Sequence, residues 1–409
     1  MLCPFGAKRL RQISLVLIAS FLLAASLPAQ QQVFYAIGAA QYIPRDPQNP
    51  WRNPYRDVRL YEVDAATLRV VRSVSVEKDT PGYGSGKLWM TTGMLTGKRD
   101  TIVLSDGELR SSTLMRLAVP DLVVQGQTEI GDVRASECLD HIFVHPITGL
   151  AYFSCDLGSH GNGFVVLNTD KQAVVADLPD GPVLPRGWPP LFLYRPQFVY
   201  SSKDQRLYLC GQNVVVLDPQ NRAIDYILAR DVAQSAGFDV DLKRSFRIAY
   251  NIDKMAMLPD GNLVLLMNAH NTPTLVVYDP MGRKALRRWS EKEKCGEMWT
   301  SIDGRSEKPV QKICQFHHGP VPTRDGSRVF AMADVDVVVW DSSTLEEPDR
   351  LEAPEPPDSG EECFFPAPDG RGMWFVGQSG NVYRLDDHTG KLIERVKLPF
   401  SVINLVREP

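Results

Sequence analysis

The sequence lacks the short motifs by which many enzymes are recognised. It contains no GxSxG nucleophile elbow, no phosphate-binding glycine loop, no HExxH zinc motif and no CxxCH haem attachment site. No two cysteines have the close spacing that a structural zinc site prefers. There is no basic run and the formal net charge is −4, so neither nucleic acid nor an anionic membrane is an expected partner.

Long apolar runs are also missing, except at the start of the chain. There, Lys8, Arg9 and Arg11 precede an apolar stretch from Ile13 to Leu27, and the small residue Ala29 follows. This order is typical of a signal peptide, because the stretch is short for a membrane span and a small residue marks a cleavage point. We expect residues 1–29 to be removed and residues 30–409 to act in the periplasm or outside the cell, without a membrane span. An uncleaved anchor is the alternative.

Six cysteines follow the predicted leader, an even number in a compartment that permits disulfides. Two pairs are predicted from their positions, the first flanking a hairpin and the second bracketing a loop: Cys138 with Cys155, and Cys295 with Cys314. Cys210 and Cys363 fall in distant parts of the chain, and their state stays open.

One short pattern occurs seven times. It is a strand of β-branched and aromatic residues that ends in Asp or a similar turn residue, followed by polar residues and a second strand. The copies lie at residues 59–64, 113–118, 163–168, 213–218, 274–279, 336–341 and 381–386. Their spacing of 45 to 62 residues is typical of propeller blades, and almost no segment has a helical period. The sequence predicts an all-β, seven-bladed β-propeller whose blades have four antiparallel strands, A to D from the centre outwards.

The two ends of the mature chain complement each other. Residues 402–406 (VINLV) have the pattern of an A strand without a following B strand, and residues 33–37 (VFYAI) that of a B strand without an A strand. Pairing them would complete the first blade as a velcro closure and leave no open strand edge. Two separate β-sandwiches are the alternative.

The longest predicted connections leave one face of this ring. They are the B–C connection of the first blade (residues 44–57) and the D–A connections after the third (residues 179–196), fourth and fifth blades. We call this side the long-loop face. Trp51 and Trp188 lie there among prolines and arginines, which suits a preorganised surface for a protein, a glycan or a small molecule. The alternative is that these aromatic side chains pack on the protein itself.

Polar residues gather where the predicted A strands begin on the long-loop face. They are Glu137, Asp140, His141, Asn251, Asp253, Lys254, His317, His318, Glu361 and Glu362. They would converge at the channel mouth, where carboxylates and histidines can hold a metal ion or act as acid and base on a substrate. His141 and His317 each precede a hairpin proline by five residues. Solvated side chains and hydrogen bonds between blades are the alternative, and the identity of any metal or cofactor stays unknown.

The hairpin LPDGNLVLLM followed by TLVVYDPMGR resembles the YVTN-type repeats of exported bacterial propellers. The segment CLDHIFVHPITGLAYFSC also resembles the cysteine-flanked hairpin in the heavy chain of methylamine dehydrogenase. That second resemblance implies a periplasmic propeller that works with a small subunit carrying a tryptophan-derived quinone.

Three functional hypotheses follow from these patterns. The favoured one is a propeller without enzymatic activity that binds a ligand or a protein through the long-loop face. The second is the propeller subunit of a periplasmic quinoprotein-like oxidoreductase, as the resemblance implies. The third is a lactonase-like hydrolase that uses the acidic residues and histidines at the channel mouth.

Overall fold

The computed structural model describes residues 33–42, 55–79, 87–105, 113–119, 121–129, 137–156, 162–171, 173–178, 182, 184–186, 197–240, 250–269, 272–291, 316–333, 335–357 and 363–408. Nearly all regular structure in these ranges is β, and it forms seven four-stranded antiparallel sheets. Repeated segments rich in Val, Leu, Tyr and Trp form the strands, because such side chains suit a pleated and buried surface.

The first sheet combines both ends of the described chain. From the inside outwards, its strands are β30 (Ser401–Leu405), β1 (Val33–Tyr42), β2 (Tyr55–Asp64) and β3 (Val70–Ser75). Because β2 begins at Tyr55, the insertion between β1 and β2 is shorter than the sequence predicts. Leu405 lies opposite Ala36 and Asn404 opposite Ile37, so the predicted velcro closure is confirmed.

The other six sheets each use four consecutive strands. The second and third blades contain β6 (Thr92–Leu95), β7 (Thr101–Ser105), β8 (Thr113–Ala118) and β9 (Val123–Glu129), then β10 (Glu137–Val144), β11 (Leu150–Asp156), β12 (Asn162–Asn168) and β13 (Ala173–Leu178). The fourth and fifth contain β14 (Gln197–Ser201), β15 (Arg206–Cys210), β16 (Val214–Leu217) and β17 (Ala223–Ile227), then β18 (Tyr250–Met257), β19 (Leu263–Ala269), β20 (Thr272–Asp279) and β21 (Lys284–Ser290). The sixth and seventh contain β22 (Phe316–Pro322), β23 (Arg328–Ala333), β24 (Asp336–Asp341) and β25 (Asp349–Glu352), then β26 (Phe364–Pro366), β27 (Met373–Val376), β28 (Val382–Leu385) and β29 (Leu392–Val396).

The sheets follow one another around a ring. Their innermost strands contact in the order β30, β6, β10, β14, β18, β22 and β26, and β30 then contacts β27 of the seventh blade. The seven-bladed propeller predicted from the repeats is therefore confirmed. The strand order also sends every B–C and D–A connection to the same face of the ring.

The chain end continues past the closure and reaches the second blade. The backbone N–H of Arg407 donates to the carbonyl of Gly93 at 2.9 Å, and the N–H of Leu95 donates to the carbonyl of Arg407 at 2.9 Å. Beyond this bridge, Glu408 pairs with Arg99 at 2.9 Å. The terminal segment thus joins the first blade to the second, a contact that the sequence did not predict.

Aspartate or asparagine ends most of the C strands and shapes the C–D turn. In six blades its side-chain oxygen accepts a hydrogen bond from a backbone N–H two or three residues later, the arrangement of an Asx turn. These residues are Asp64, Asn168, Asp218, Asp279, Asp341 and Asp386. The recurring turn residue in the sequence therefore has the role that the pattern predicted.

The core lies between blades rather than within one. Between the fifth and sixth blades, Val264 and Trp289 pack with Val329 and Trp340, and the two indole centroids are 5.2 Å apart. Middle strands such as β16 are buried along their whole length, whereas the outer strand β3 alternates between half-buried and exposed residues. This pattern arises because each middle strand is covered on both faces.

Two elements inside the connections were not predicted. A two-stranded hairpin of β4 (Glu77–Asp79) and β5 (Lys87–Trp89) links the first and second blades. Helix α1 (Ala229–Ser235) follows the fourth blade and packs Val232 and Ala233 into the core between blades four and five. The amide oxygen of Asn213 accepts a hydrogen bond from the first helical N–H at 2.8 Å, so a neighbouring connection caps the helix.

Candidate functional site

A cavity of about 80 Å³, open to solvent, lies in the central channel. The inner strands of the third to sixth blades and the terminal segment surround it. Its apolar wall includes Ile142, Phe143 and Phe198. Gln197 and Lys254 supply polar groups from the fourth and fifth blades, and Arg407 supplies a third from the chain end. Apolar walls with a few polar groups converging from separate elements are typical of small-molecule sites.

Gln197 connects two blades at the edge of this cavity. Its side-chain oxygen accepts a hydrogen bond from the backbone N–H of Met255 at 3.1 Å. The bond fixes the position of the amide oxygen, so the amide NH₂ group is held in a defined direction. Because Gln197 begins β14 and Met255 lies in the middle of β18, the bond also sets how these two inner strands meet.

Arg407 reaches the cavity because the terminal segment crosses from the first blade to the second. Its guanidinium group lies 3.5 Å from the hydroxyl of Thr92, a residue that is almost fully buried in β6. The N–H and the carbonyl of Arg407 both bond to β6, at Gly93 and Leu95 respectively. The position of this cation therefore depends on the same bonds that hold the end of the chain.

Asn251, Asp253 and Lys254 lie together on β18, as the sequence predicted for the start of an A strand. The Asn251 amide donates a hydrogen bond to the Asp253 carboxylate. Burial raises the pKa of Asp253 to about 6, and the adjacent Lys254 ammonium partly opposes this shift. More than a third of the residue surface of Asp253 is still exposed. Protein atoms surround the carboxylate on most sides while another part of the residue reaches solvent, which reconciles its exposure with its raised pKa.

The structure describes only part of the predicted residue set. His318 lies in β22 and is buried, with 6% of its surface exposed. It stands opposite Met332, and β22 has register shifts on both sides of it. His141 and His317 precede their hairpin prolines by the same number of residues, but because of such shifts an equal count does not ensure an equal depth in the channel. The backbones of four other predicted residues lie in inner strands, but their side chains are not described: Glu137, Asp140, His141 and His317.

Four predicted binding residues lie outside the described residues altogether. They are Trp51, Trp188, Glu361 and Glu362. Among the residues that the structure does describe, no group of three or more histidine, cysteine or carboxylate side chains could hold a metal ion. In the same ranges, no helix combines the length and apolar character that crossing a bilayer demands.

The predicted cysteine pairs can be followed only in part. Cys138 and Cys155 occupy directly opposite positions on β10 and β11, but their side chains are not described, so their disulfide stays a prediction. Cys295 and Cys314 lie outside the described residues. Cys210 and Cys363 are buried thiols. Burial, with a smaller effect from Asp253, raises the pKa of Cys210 well above its usual value.

Comparisons with known proteins support the fold. The periplasmic gluconolactonase of Pseudomonas aeruginosa is similar, with a TM-score of 0.54 and 12% identity over 92% of this chain and 98% of that one. A putative 6-phosphogluconolactonase from Bacteroides uniformis has a TM-score of 0.53 and 10% identity over 92% and 99% of the two chains. The Dos1 propeller has a TM-score of 0.51 and 10% identity over 84% and 80%.

At this level of identity the likeness establishes the propeller fold alone. No family model matches the sequence. No curated protein matches it either. The resemblances to YVTN-type repeats and to the methylamine dehydrogenase heavy chain are not confirmed by these comparisons.

Of the residues that line the cavity, only Lys254 was predicted from the sequence, and the polar residues Gln197 and Arg407 were not. Gln197 is a neutral side chain at the start of β14, and nothing in the local pattern shows that it contacts Met255 of the next blade. Arg407 follows the last strand, and only the closed ring shows that it enters the channel. The sequence offered one indication for Arg407, because this residue directly follows the strand that was predicted to close the ring.

Proposed function

We propose that this protein binds a small polar molecule in the cavity of its central channel. The observation that carries the proposal is the convergence of Gln197, Lys254 and Arg407, supplied by separate parts of the ring, beside an apolar wall. Polar groups fix the orientation of a ligand and apolar walls contribute burial, a combination typical of small-molecule sites.

The scaffold around the cavity favours binding with little rearrangement. The lining side chains lie on inner strands or on the hydrogen-bonded terminal segment, and Gln197 is held by Met255. Sites built on strands keep their geometry more exactly than sites built on loops, so less binding energy is lost in ordering side chains.

The proposal includes two predictions that the described residues do not test. The protein would be exported after removal of residues 1–29. Trp51 and Trp188 on the long-loop face would contact a ligand or a protein partner near the channel mouth. Mass measurement of protein recovered from a periplasmic extract would check the first, with a mature chain beginning near residue 30 as the expected result.

The cavity can be tested by filling it. Val321 lines the cavity from β22 and is only partly buried, so Val321→Trp should place an indole in the ligand space. Val335→Trp is the matched control, because Val335 lies in the same blade and is 60% exposed. Thermal-shift screening of a small-molecule panel, followed by calorimetry, should find ligands that bind the wild type and the control but not Val321→Trp. A panel with no binder, or equal binding by both variants, would refute the proposal.

A lactonase-like hydrolase is the second candidate, and Asp253 is the observation that favours it. A carboxyl group with a pKa of about 6 is mostly ionised at neutral pH and can accept a proton from an attacking water molecule. Two of the similar structures are named as lactonases. Hydrolysis of sugar lactones by the wild type and its loss in Asp253→Asn, with Asp239→Asn as an exposed control, would support this candidate. Equal rates in the wild type and Asp253→Asn would remove it. No described residue favours the quinoprotein-like hypothesis.

A further inference from the structure

We infer that His145 is an acid-sensitive switch in the A–B turn of the third blade, and that its protonation opens this turn and loosens the contacts of the third blade with its two neighbours. The turn comprises residues 145–149 between β10 and β11, on the face opposite the long-loop face. The residues that form this switch do not line the channel cavity, so it is separate from the proposed ligand site.

The ring nitrogen Nδ1 of His145 is a hydrogen-bond acceptor. The backbone N–H of Ile147 donates to it at 3.2 Å and that of Thr148 at 3.3 Å, so the side chain closes the turn. Only an unprotonated nitrogen can accept, so the imidazole is neutral and carries its proton on Nε2. A second proton would have to bind Nδ1, facing two N–H groups. Protonation of His145 and these two hydrogen bonds therefore exclude each other.

The other A–B turns hold a residue that does not titrate at the same position. These residues are Thr96, Ser201, Leu258, Thr323 and Ala367, and their backbones pair with the start of strand B as that of His145 does. Thr323 is a close counterpart, because its hydroxyl accepts a hydrogen bond from the N–H of Arg328 at 3.0 Å. At this position, only the third blade uses a group that titrates near neutral pH.

The turn is in contact with both neighbouring blades. The imidazole of His145 lies against the phenol ring of Tyr200, at the end of β14 in the fourth blade, with centroids 4.6 Å apart. Towards the second blade, Pro146 packs on Gly97 so closely that an added Cβ at Gly97 would lie 1.7 Å from the Pro146 carbonyl oxygen. Opening of the turn would therefore disturb contacts on both sides of the third blade.

The surroundings of His145 disfavour its charged form. The residue is 6% exposed, and burial lowers the pKa of its imidazole, with a smaller opposing effect from its own backbone. None of the charged side chains on the segments packed around the turn is among the causes of this shift. They are Lys98, Arg99 and Asp100 in the second blade, Asp170 with its partner Arg116 beside the turn, and Asp204 in the fourth blade.

The sign of the pH dependence follows from these contacts. In the opened turn the imidazole is exposed and binds a proton with the ordinary histidine pKa of about 6.5. The closed turn resists protonation, so its stabilisation is full above this pH and is lost as the pH falls below it. The equilibrium constant for opening should rise about tenfold between pH 7.5 and pH 5.0.

Hydrogen exchange of the full chain, followed by mass spectrometry at pH 7.5 and pH 5.0, measures this opening. After correction for the intrinsic pH dependence of exchange, peptides that cover residues 145–149 should lose about tenfold in protection at pH 5.0. Peptides that cover Gly97 and Tyr200 should also lose protection. The A–B turn of the sixth blade, which contains Thr323, is the internal control and should keep its protection.

Two variants assign the response to His145. His145→Asn retains a side-chain acceptor for the turn N–H groups, as Asn168 does in the C–D turn of the same blade, but cannot titrate. Its protection should be equal at the two pH values. His388→Asn is the matched control, because His388 is exposed in a turn of the seventh blade, and this variant should respond to pH as the wild type does.

Thermal unfolding at pH 7.5 shows whether each variant folds. If His145→Asn does not, His145→Thr, which reproduces the arrangement at Thr323, takes its place. Asp253 binds a proton in the same pH range, but it is present in every variant and its effect cancels in the comparison. A wild-type pH response that persists in the folded His145 variant would overturn the inference. Equal losses of protection in the turns of the third and sixth blades of the wild type would also overturn it.

Discussion

The ring of Phe400 lies flat on the ring of Tyr61, with centroids 3.8 Å apart and planes inclined by 2°. Tyr61 belongs to β2 and Phe400 directly precedes β30, so the pair spans the closure of the propeller. Both residues are 7% exposed. The last strand is thus held by side-chain packing as well as by the backbone bonds to β1.

Phe400→Ala should lower the free energy of unfolding by about 3 kcal/mol, since it removes a buried aromatic ring and leaves a cavity. Urea unfolding monitored by circular dichroism would measure the loss. Leu392→Ala on the outer strand of the seventh blade is the control, because Leu392 is 54% exposed and its truncation should change little. A loss for Phe400→Ala no larger than that of the control would show that the stacked pair does not hold the closure.

Gly38→Ala should also weaken the closure. An added Cβ at Gly38 would lie 2.4 Å from Cδ2 of Phe400 and 2.8 Å from the carbonyl oxygen of Ser401, so Phe400 and the start of β30 would have to move. The expected loss is about 1–3 kcal/mol, the usual cost of overpacking. The double variant Gly38→Ala/Phe400→Ala should lose less stability than the sum of the losses in the two single variants, because the ring that obstructs the new methyl group is gone. Full additivity in urea unfolding would contradict this explanation.

Cys138 and Cys155 should form a disulfide in protein isolated from an oxidising compartment. Directly opposed residues of antiparallel strands have Cα atoms about 4.5–5.5 Å apart, within the range of about 4.4–6.8 Å that disulfides span. Peptide mapping by mass spectrometry without reductant should recover the two residues in one linked peptide pair. Cys210 and Cys363 are the internal comparison, because both are buried thiols and should appear in unlinked peptides. Recovery of Cys138 and Cys155 in separate peptides would contradict the prediction.

Asp253 should make the folded protein less stable as the pH rises from about 4 to about 6. Its pKa is raised to about 6 in the folded state, so the folded protein holds this proton more tightly than the unfolded chain does. The stabilisation from proton binding is therefore full below the ordinary aspartate pKa and is lost as the pH rises through about 6.

Asp253→Asn tests this pH dependence directly. Relative to the wild type, the variant should gain stability between about pH 4 and pH 7 in urea unfolding. Asp239→Asn, an exposed aspartate in the connection before β18, should show no such gain. The aspartates in the turns affect stability at lower pH and in the opposite direction. Hydrogen bonds from Thr323 and Ser327 hold the pKa of Asp325 at about 2, so its stabilising contribution is lost as the pH falls. A constant difference between Asp253→Asn and the wild type across this range would contradict the prediction.

The fold could be predicted from the sequence because its signals are local. Each C strand and its turn residue form a short segment, and Asp279 or Asp386 accepts backbone hydrogen bonds only two or three residues away. The ring closure could also be predicted. One end of the mature sequence has the pattern of an A strand without a B strand, and the other end has the pattern of a B strand without an A strand. By contrast, α1 and the β4–β5 hairpin lie inside long connections, where neighbouring blades rather than local periodicity decide the structure.

The candidate site was only partly predictable for a similar reason. Lys254 and Asp253 could be chosen because polar residues at the start of an inner strand point to the channel mouth. The contribution of Gln197 depends on its bond to Met255 in the next blade, a contact that no local pattern encodes. The register shifts on both sides of His318 depend on pairing with β23, so the local sequence could not establish where His318 lies along the channel.

The order of synthesis gives the terminal segment a further consequence. A ribosome makes β30 after every other strand of the propeller, and Arg407 follows it. Until those residues emerge, the nascent chain has β1 as an uncovered edge. The first blade can therefore be completed only after every other strand of the propeller has been made, and until then its edge is open to pairing with other chains.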